Sequence, residues 1–210
     1  MFYEEKKIFG EVPTTWLPGN DYGTTTSASK ELKNIFGKKI FDYPKPVELI
    51  KYLLHLATKD GDIVLDSFAG SGSIGLEAIS RGAKRAYFIE LDRNSYQILL
   101  KNCKSIDMEK CQTVQGNTFV QTPLFIDFLK NSQDEIVLYV DPPFDYRDGM
   151  EDIYEKSFAM IRDIEVDNIY MIIIEHVSAL EMPEVLGRFS LNKTKKFGKS
   201  ALSYYSYTEE

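Results

Sequence analysis

A glycine-rich turn followed by a carboxylate about 20 residues later is the part of this 210-residue chain best suited to hold a ligand. Gly70 and Gly72 lack a Cβ, so the turn can adopt positive φ and let a ligand lie against bare backbone. Gly75 allows the following helix to lie close to a sheet. Glu90 ends the next apolar run, where its carboxylate can accept hydrogen bonds from both hydroxyls of a ribose. The alternative is a tight strand-to-helix connection that binds nothing.

The first residue of this loop, Asp66, narrows the choice of ligand. A carboxylate repels the pyrophosphate of a dinucleotide but suits a cofactor that carries an ammonium group. The chain also lacks the Gly-Lys-Ser/Thr sequence that a nucleoside triphosphate site needs. The loop therefore favours a nucleoside cofactor with a positively charged group.

Residues 66–72 read Asp-Ser-Phe-Ala-Gly-Ser-Gly, and this segment resembles the first motif of the class I S-adenosylmethionine-dependent methyltransferases. Glu90 matches the ribose-binding acid of that family. The resemblance implies S-adenosyl-L-methionine as the cofactor. Asn117, just after a predicted strand, is placed either to read the adenine of the cofactor or only to cap a helix. The residues that we predict to contact the cofactor are Asp66, Phe68, Ala69, Gly70, Gly72, Glu90, Leu91, Asn117, Pro44 and Lys45.

A second motif, Asp141, Pro142, Pro143 and Phe144, resembles the Asp/Asn-Pro-Pro-aromatic motif of enzymes that methylate exocyclic amines of nucleic-acid bases. The Asp141 carboxylate and the Pro142 carbonyl can each accept a hydrogen bond from an NH₂ group, and the prolines stiffen the backbone that aims them. Phe144 offers a flat face on which an unstacked base can lie, for ~1–3 kcal/mol. We predict that these four residues are catalytic; a Pro-Pro turn that merely ends a strand is the alternative.

Residues 62–210 resemble the RsmD-like enzymes that methylate the exocyclic N2 amine of a guanine in 16S ribosomal RNA. The matching segments are Phe-Ala-Gly-Ser-Gly-Ser-Ile-Gly-Leu-Glu-Ala-Ile-Ser-Arg-Gly-Ala at 68–83, Ile-Glu-Leu-Asp at 89–92, Val-Asp-Pro-Pro-Phe at 140–144 and Lys-Phe-Gly-Lys-Ser-Ala-Leu-Ser-Tyr-Tyr at 196–205. The basic hairpin with which that family opens is absent. The resemblance implies ribosomal RNA, or the assembling small subunit, as the substrate.

Residues 11–57 instead resemble the modification subunits of type III restriction systems, which are DNA adenine methyltransferases. In that family the turn that contains Tyr-Pro-Lys-Pro, here with Pro44 and Lys45, lies over the methionine end of the cofactor. Those enzymes carry their Asp-Pro-Pro-Tyr motif before the cofactor loop, whereas the order here is reversed. Adenine in duplex DNA is therefore the second hypothesis. A catalytically silent binding protein and a small-molecule methyltransferase are hypotheses of other classes.

The overall charge gives no attraction to a nucleic acid, because the chain has a net charge of −7 and a pI near 5.0. Any such contact must come from a local basic surface. The densest cluster lies near the C-terminus, where we predict nucleic-acid contacts or a solvated hairpin. Alternation along a strand predicts that the first two lysines of the cluster share one face. The cluster consists of Lys193, Lys195, Lys196 and Lys199.

Composition favours a soluble, cytoplasmic protein. The two cysteines, Cys103 and Cys111, lack the spacing of a metal site, and we expect reduced thiols. The N-terminus has charged residues where a signal peptide would need an apolar run, and no window is long and apolar enough to span a membrane. We therefore predict no metal and no membrane partner.

Strand and helix patterns alternate from residue 63 onward, which is typical of an α/β fold. We predict a three-layer, doubly wound, Rossmann-like sheet of seven mostly parallel strands with an antiparallel last strand. The predicted domains are an extended N-terminal arm at 1–40 and a methyltransferase domain at 41–210. Asp92 is predicted to cap the helix that follows Glu90.

Overall fold

The computed structural model describes residues 58–143 and 152–207 of the chain. The predicted arm at 1–40, Pro44, Lys45 and Phe144 lie outside these residues, as does the predicted start of the second domain at residue 41.

The described residues form one mixed sheet with the strand order β3-β2-β1-β4-β5-β8-β7-β6. The first five strands are parallel, and β8 runs antiparallel between β5 and β7. The strands are β1 (Ile63–Asp66), β2 (Arg85–Glu90), β3 (Cys111–Gln115), β4 (Ile136–Val140), β5 (Ile169–Val177), β6 (Val185–Leu186), β7 (Phe189–Phe197) and β8 (Ser200–Tyr207).

The predicted doubly wound fold with an antiparallel last strand is confirmed, but these residues contain eight strands where the sequence predicted seven. The additional strand is β6, whose Val185 and Leu186 pair with Ser190 and Phe189. Two residues are too few to show an alternating pattern, so this strand could not be recognised in the sequence.

Helices cover both faces of the sheet and complete the three predicted layers. The helices are α1 (Ser73–Ser80), α2 (Arg93–Ile106), α3 (Thr118–Leu129) and α4 (Ile153–Arg162). Side chains of α1 and α2 pack with Val64, Ala86 and Phe88 on one face. Side chains of α3 and α4 pack with Leu65 and Leu138 on the other. Strands buried on both faces require nearly continuous apolar runs, and every residue of β4 is buried.

The order of the strands reverses between β1 and β4, which are direct neighbours. In doubly wound sheets, ligands bind beyond the carboxyl ends of the strands at such a point. The glycine loop follows β1, Glu90 ends β2 and Asp141 follows β4, so the fold brings the predicted site residues to this edge. We call it the carboxyl edge and the opposite one the amino edge.

Two local predictions from the sequence are also confirmed. Asp92 caps α2, because its Oδ1 accepts a hydrogen bond from the amide of Ser95 at 2.8 Å. Cys103 and Cys111 are both buried and free, and burial raises the pKa of the Cys103 thiol to about 12. Such thiols are unreactive at neutral pH. Across the ranges that the structure describes, we find no helix with the length and apolar character needed to cross a membrane.

Candidate cofactor and active site

The loop between β1 and α1 is a tight turn held from two sides. Gly70 and Gly72 have φ values of +55° and +84°, which favour glycine over residues with a side chain. The amide of Gly72 donates to the Ala69 carbonyl at 2.7 Å. Asn102 of α2 donates from Nδ2 to the carbonyl of Ser71 at 3.0 Å. These bonds fix the loop before any ligand arrives.

Gly70 in this loop and Gly75 in the first turn of α1 have different roles. No atom lies within 4 Å of the position that a Cβ on Gly70 would occupy, so this glycine faces open space. At Gly75 a Cβ would lie 2.6 Å from Cζ of Phe88 and 3.0 Å from Cβ of Ala86. Gly75 therefore allows α1 to approach β2, as predicted, whereas Gly70 leaves backbone exposed to a ligand.

Glu90 is fixed by the backbone of two loops. Its Oε2 accepts a hydrogen bond from the Gly70 amide and its Oε1 accepts one from the Asp92 amide, both at 2.7 Å. Burial raises the pKa of Glu90, and the bonds from Asp92 and Gly70 oppose that rise. An ionised carboxylate has about four lone-pair positions, so each oxygen can accept a further bond from a hydroxyl group. The carboxylate thus fits the predicted ribose contact.

Other predicted cofactor residues lie around the same loop. Asp66 ends β1 and is buried, whereas Leu91 directly follows Glu90 and is 64% exposed. Phe68 packs edge-to-face on Phe119, with ring centroids 6.1 Å apart, and faces the core that α3 and α4 form. These residues thus differ in what they offer a ligand: Leu91 is exposed, whereas Phe68 packs on the core and supports the loop.

Asn117 adopts the helix-capping arrangement that the sequence left as the alternative. Its Oδ1 accepts a hydrogen bond from the amide of Phe119 at 2.9 Å and caps α3. Its side-chain NH₂ group is a separate donor, which keeps a contact with the cofactor's adenine open as a prediction. The place of Asn117 at the end of β3 could be predicted from the sequence. The sequence did not show that its Oδ1 atom is used to cap α3.

The Asp141-Pro142-Pro143 segment lies beside the cofactor loop. It follows β4, the neighbour of β1, and Asp141 is half-buried while Pro142 is buried. The amide of Ser67, in the cofactor loop, donates to the carbonyl of Tyr139 at 3.0 Å. A backbone hydrogen bond therefore joins the cofactor loop to the end of β4, from which the Asp-Pro-Pro segment continues.

Sequence reasoning missed two buried residues beneath this segment. Tyr139 donates from its hydroxyl to Oε2 of Glu175 at 3.0 Å, and the side chains are 2% and 5% exposed. In the sequence, Tyr139 is indistinguishable from the other apolar residues of its strand. Glu175 is indistinguishable from a polar residue that ends a strand. Side chains alternate between the two faces of a strand, so residues two apart share a face. This rule places Tyr139 on the same face as Asp141 and could have drawn attention to it.

The lysine cluster is divided between the core and the surface. Lys193 and Lys195 share a face, as predicted, because they pair with Tyr204 and Leu202 of one core cluster. That face is covered, however, and Lys195 is fully buried. The prediction that Lys195 contacts nucleic acid is therefore wrong: an ammonium group in the core cannot follow a solvated phosphate backbone.

Two other members of the cluster, Lys196 and Lys199, remain suited to a polyanion. Lys193 is half-buried, and Lys196 and Lys199 are exposed. β7 runs parallel to β5, so the β7–β8 turn lies at the carboxyl edge. The carbonyl of Lys199 accepts a hydrogen bond from the amide of Ser178, just after β5, at 2.8 Å. Two exposed cations thus lie on the same edge as Asp141.

The described residues contain no group of three or more His, Cys, Asp or Glu side chains that could hold a metal ion. The acidic side chains at the carboxyl edge instead come singly from different strands. Such an arrangement suits a cationic organic ligand.

Comparison with known proteins places these features in a family. The model of the family described as "Conserved hypothetical protein 95" matches residues 51–206. The ribosomal RNA small subunit methyltransferase D of Haemophilus influenzae is 44% identical over 85 residues, which are 39% of this chain and 42% of that protein. The EcoPI Mod subunit, a type III restriction-modification enzyme of Escherichia phage P1, is 33% identical over 131 residues, 54% of this chain and 20% of that protein. The chain thus spans less than half of either relative.

Among solved structures, yhhF from Escherichia coli superposes with a TM-score of 0.59 at 29% sequence identity, over 78% of this chain and 84% of that one. Both resemblances seen in the sequence, to the ribosomal RNA enzymes and to the type III subunits, are therefore confirmed. The chain belongs to the Conserved hypothetical protein 95 family, and it has the fold and motifs of the class I S-adenosylmethionine-dependent methyltransferases.

Proposed function

We propose that this protein transfers a methyl group from S-adenosylmethionine to the exocyclic amine of a base in ribosomal RNA, with the N2 amine of a guanine in the small subunit as the first candidate. One observation carries the proposal. The open glycine loop and fixed Glu90 carboxylate lie next to the Asp141-Pro142 segment, on the neighbouring strands β2, β1 and β4. A cofactor site and a set of amine acceptors therefore share one edge of the sheet.

Residues of this chain hold the cofactor at the glycine loop. Glu90 would accept hydrogen bonds from the ribose hydroxyls, and Gly70 would offer bare backbone to the nucleoside. The positive N-terminal end of α1 would favour the carboxylate of the methionine part. Asp66 would supply negative charge for the ammonium group of the cofactor, and Asp141 would supply it for the target amine. When bound, the cofactor supplies an electrophilic methyl group.

Asp141 and Pro142 act on the substrate. An exocyclic amine is a weak nucleophile, because its lone pair is delocalised into the ring. Hydrogen bonds from its NH₂ group to the Asp141 carboxylate and the Pro142 carbonyl orient that lone pair toward the methyl group. Positioning of this kind can supply most of the rate, since the methyl donor is already activated. Phe144, by its place in the motif, is proposed to stack on the base.

The substrate backbone lies across the turn between β7 and β8. Lys196 and Lys199 are exposed there, beside the end of β5. An acidic protein binds a polyanion through such a local group of cations, because each contact releases condensed counterions. The relative from Haemophilus influenzae supports ribosomal RNA as this polyanion.

Adenine in duplex DNA is a second candidate substrate, supported by the likeness to the EcoPI Mod subunit. The same acceptors would serve the N6 amine of adenine, since both targets present an NH₂ group on an aromatic ring. The motif order favours RNA, and the N-terminal third favours DNA.

A transfer assay with three substrates in parallel separates these candidates. The protein is incubated with methyl-labelled S-adenosylmethionine and 16S ribosomal RNA, small ribosomal subunits or duplex DNA, and the product is digested to nucleosides. We expect label in N2-methylguanosine from RNA or subunits. Label in N6-methyladenine from DNA would establish the alternative. No transfer to any substrate, by a protein that binds the cofactor, would indicate a silent binding protein.

A further inference from the structure

The buried pair formed by Tyr139 and Glu175 lies directly beneath the proposed amine site. The Tyr139 hydroxyl donates to Oε2 of Glu175 at 3.0 Å, and both side chains are almost fully buried. Tyr139 is two residues before Asp141 on β4, so the two side chains share a face of the sheet. Glu175 belongs to β5, the next strand. Burying a carboxylate is costly, so its presence at this place calls for a function.

The Tyr139 hydroxyl lies within electrostatic reach of three carboxylates. Burial raises the pKa of the Tyr139 hydroxyl well above its usual value, and the charges of Glu175, Asp141 and Asp66 raise it further. The hydroxyl thus remains a neutral donor under all ordinary conditions. The fully buried Lys195 of β7 pairs with Leu202 of β8, which also pairs with Glu175, so one cation lies on the same face two strands away from Glu175. The acids nearest the reacting edge come from β1, β4 and β5.

Methyl transfer to an amine moves positive charge toward these acids. The lone pair of the amine nitrogen forms the new C–N bond, the electron pair of the C–S bond stays on sulfur, and the nitrogen becomes positive until it releases a proton to an acceptor such as Asp141. A negative charge close to the nitrogen stabilises the transition state more than the ground state. A negative charge close to the sulfur does the opposite.

We propose that Glu175, held by Tyr139, is a positioning residue for the transfer step: it anchors the end of β4 that carries Asp141 and provides negative charge beneath the amine. This inference rests on the proposed function. It assigns a role to two residues outside the cofactor and amine contacts. Because Glu175 acts through Tyr139 as one unit, removing either should have a similar effect, and removing both should cost little more than removing one.

The test compares the variants Glu175→Gln and Tyr139→Phe with a control variant in a similar tyrosine–carboxylate pair at the amino edge. Tyr170→Phe is the control, because the Tyr170 hydroxyl also donates to a buried carboxylate, that of Asp62, at 2.6 Å. We expect the single-turnover methyl-transfer rate to fall about 10- to 100-fold in both test variants and less than about 3-fold in the control. Glu175→Asp, which keeps the charge, should recover part of the rate.

Binding without turnover provides an independent readout. Titration calorimetry with S-adenosylmethionine and S-adenosylhomocysteine should give the same ratio of dissociation constants in Glu175→Gln as in wild type, within about 3-fold. A lower preference for S-adenosylmethionine would place the charge of Glu175 at the sulfonium group and overturn the inference. So would a wild-type rate in Glu175→Gln, or an equal loss in Tyr170→Phe. If wild type methylates nothing, the proposed function fails and this inference fails with it.

Discussion

At each edge of the sheet a tyrosine hydroxyl is hydrogen-bonded to a buried carboxylate, but the charged groups around the two pairs differ. At the amino edge, Asp62 accepts hydrogen bonds from the Tyr170 hydroxyl at 2.6 Å and from the Lys59 amide at 2.7 Å. The Lys59 ammonium lies 4.8 Å from the centre of the Tyr170 ring and forms an ion pair with Glu135 at 3.0 Å. Cations and anions alternate here, and the arrangement ties a turn to the sheet.

At the carboxyl edge, four strands each deliver an acid to one region. Asp66, Glu90, Asp141 and Glu175 come from β1, β2, β4 and β5. Burial raises the pKa of Glu90, so its ionised form is costly in the folded protein. The difference is that the amino edge pairs its charges and ties a turn to the sheet, whereas the carboxyl edge collects acids, an arrangement that suits the positively charged cofactor proposed above. Four predictions test that difference, from the largest expected effect to the smallest.

Glu90→Ala should weaken S-adenosylmethionine binding by about 2–4 kcal/mol, because two charge-assisted hydrogen bonds to ribose are lost and water replaces them only in part. Titration calorimetry measures the effect. The control is Asp62→Asn at the amino edge, which should lower stability and leave affinity unchanged. Wild-type affinity in a folded Glu90→Ala protein would remove Glu90 from the site.

Gly70→Ala and Gly61→Ala form a matched pair. Both glycines have positive φ, +55° and +91°, and neither would place a Cβ within 4 Å of another atom. Each substitution should therefore cost roughly 1–2 kcal/mol in unfolding free energy. Only Gly70→Ala should also weaken cofactor binding, by about 10-fold or about 1.4 kcal/mol, since its methyl group enters the space reserved for the ligand. Equal affinities in the two variants would mean that no ligand lies on Gly70.

Replacing Lys196 and Lys199 by Gln should make the salt dependence of RNA binding shallower. Two lost phosphate contacts reduce the slope of log affinity against log salt by about 1.5. Lys59 and Lys84 at the amino edge, both exposed and ion-paired, provide a control with the same loss of charge. Binding measured at several salt concentrations should show no change in slope for that control. An unchanged slope for both double variants would remove the β7–β8 turn from the substrate path.

Glu90→Gln should change the pH dependence of stability. The pKa of Glu90 is raised by burial above its ordinary value of 4.5, so the folded protein holds this proton more tightly than the unfolded chain. The stability that the protonated group contributes is present below about pH 4.5 and is lost as the pH rises through the folded-state pKa. The unfolding free energy of wild type minus that of Glu90→Gln should therefore fall as the pH rises above about 4.5. Urea unfolding at each pH checks this; a rising difference would contradict the assigned direction.

The sequence predicted those features that depend on local chemistry. Gly70 and Gly75 are needed where a strand turns into a helix, and Asp92 caps the helix that follows. The position of Glu90 beside the glycine turn could be predicted because one helix and one strand set the distance between them. Each of these residues acts within a segment of about 30 residues, where spacing along the chain translates directly into position.

Features that depend on distant strands could not be predicted. Lys195 belongs to an apparently basic hairpin, and only the pairing of β7 with β8 and the coverage of that face reveal that it is buried. Glu175 meets Tyr139 across 36 residues of sequence. A single sequence contains no information about which face of an antiparallel pair is covered, since alternation alone fits either face.

The most direct test of the account separates binding from turnover at Asp141. In Asp141→Ala, calorimetry should show S-adenosylmethionine affinity within a few-fold of wild type, while the rate of labelled methyl transfer to small ribosomal subunits should fall ~10²-fold or more. That result would place Asp141 on the substrate side of the carboxyl edge. An equal loss of binding and transfer, or a wild-type transfer rate, would contradict the central claim that Asp141 positions the target amine.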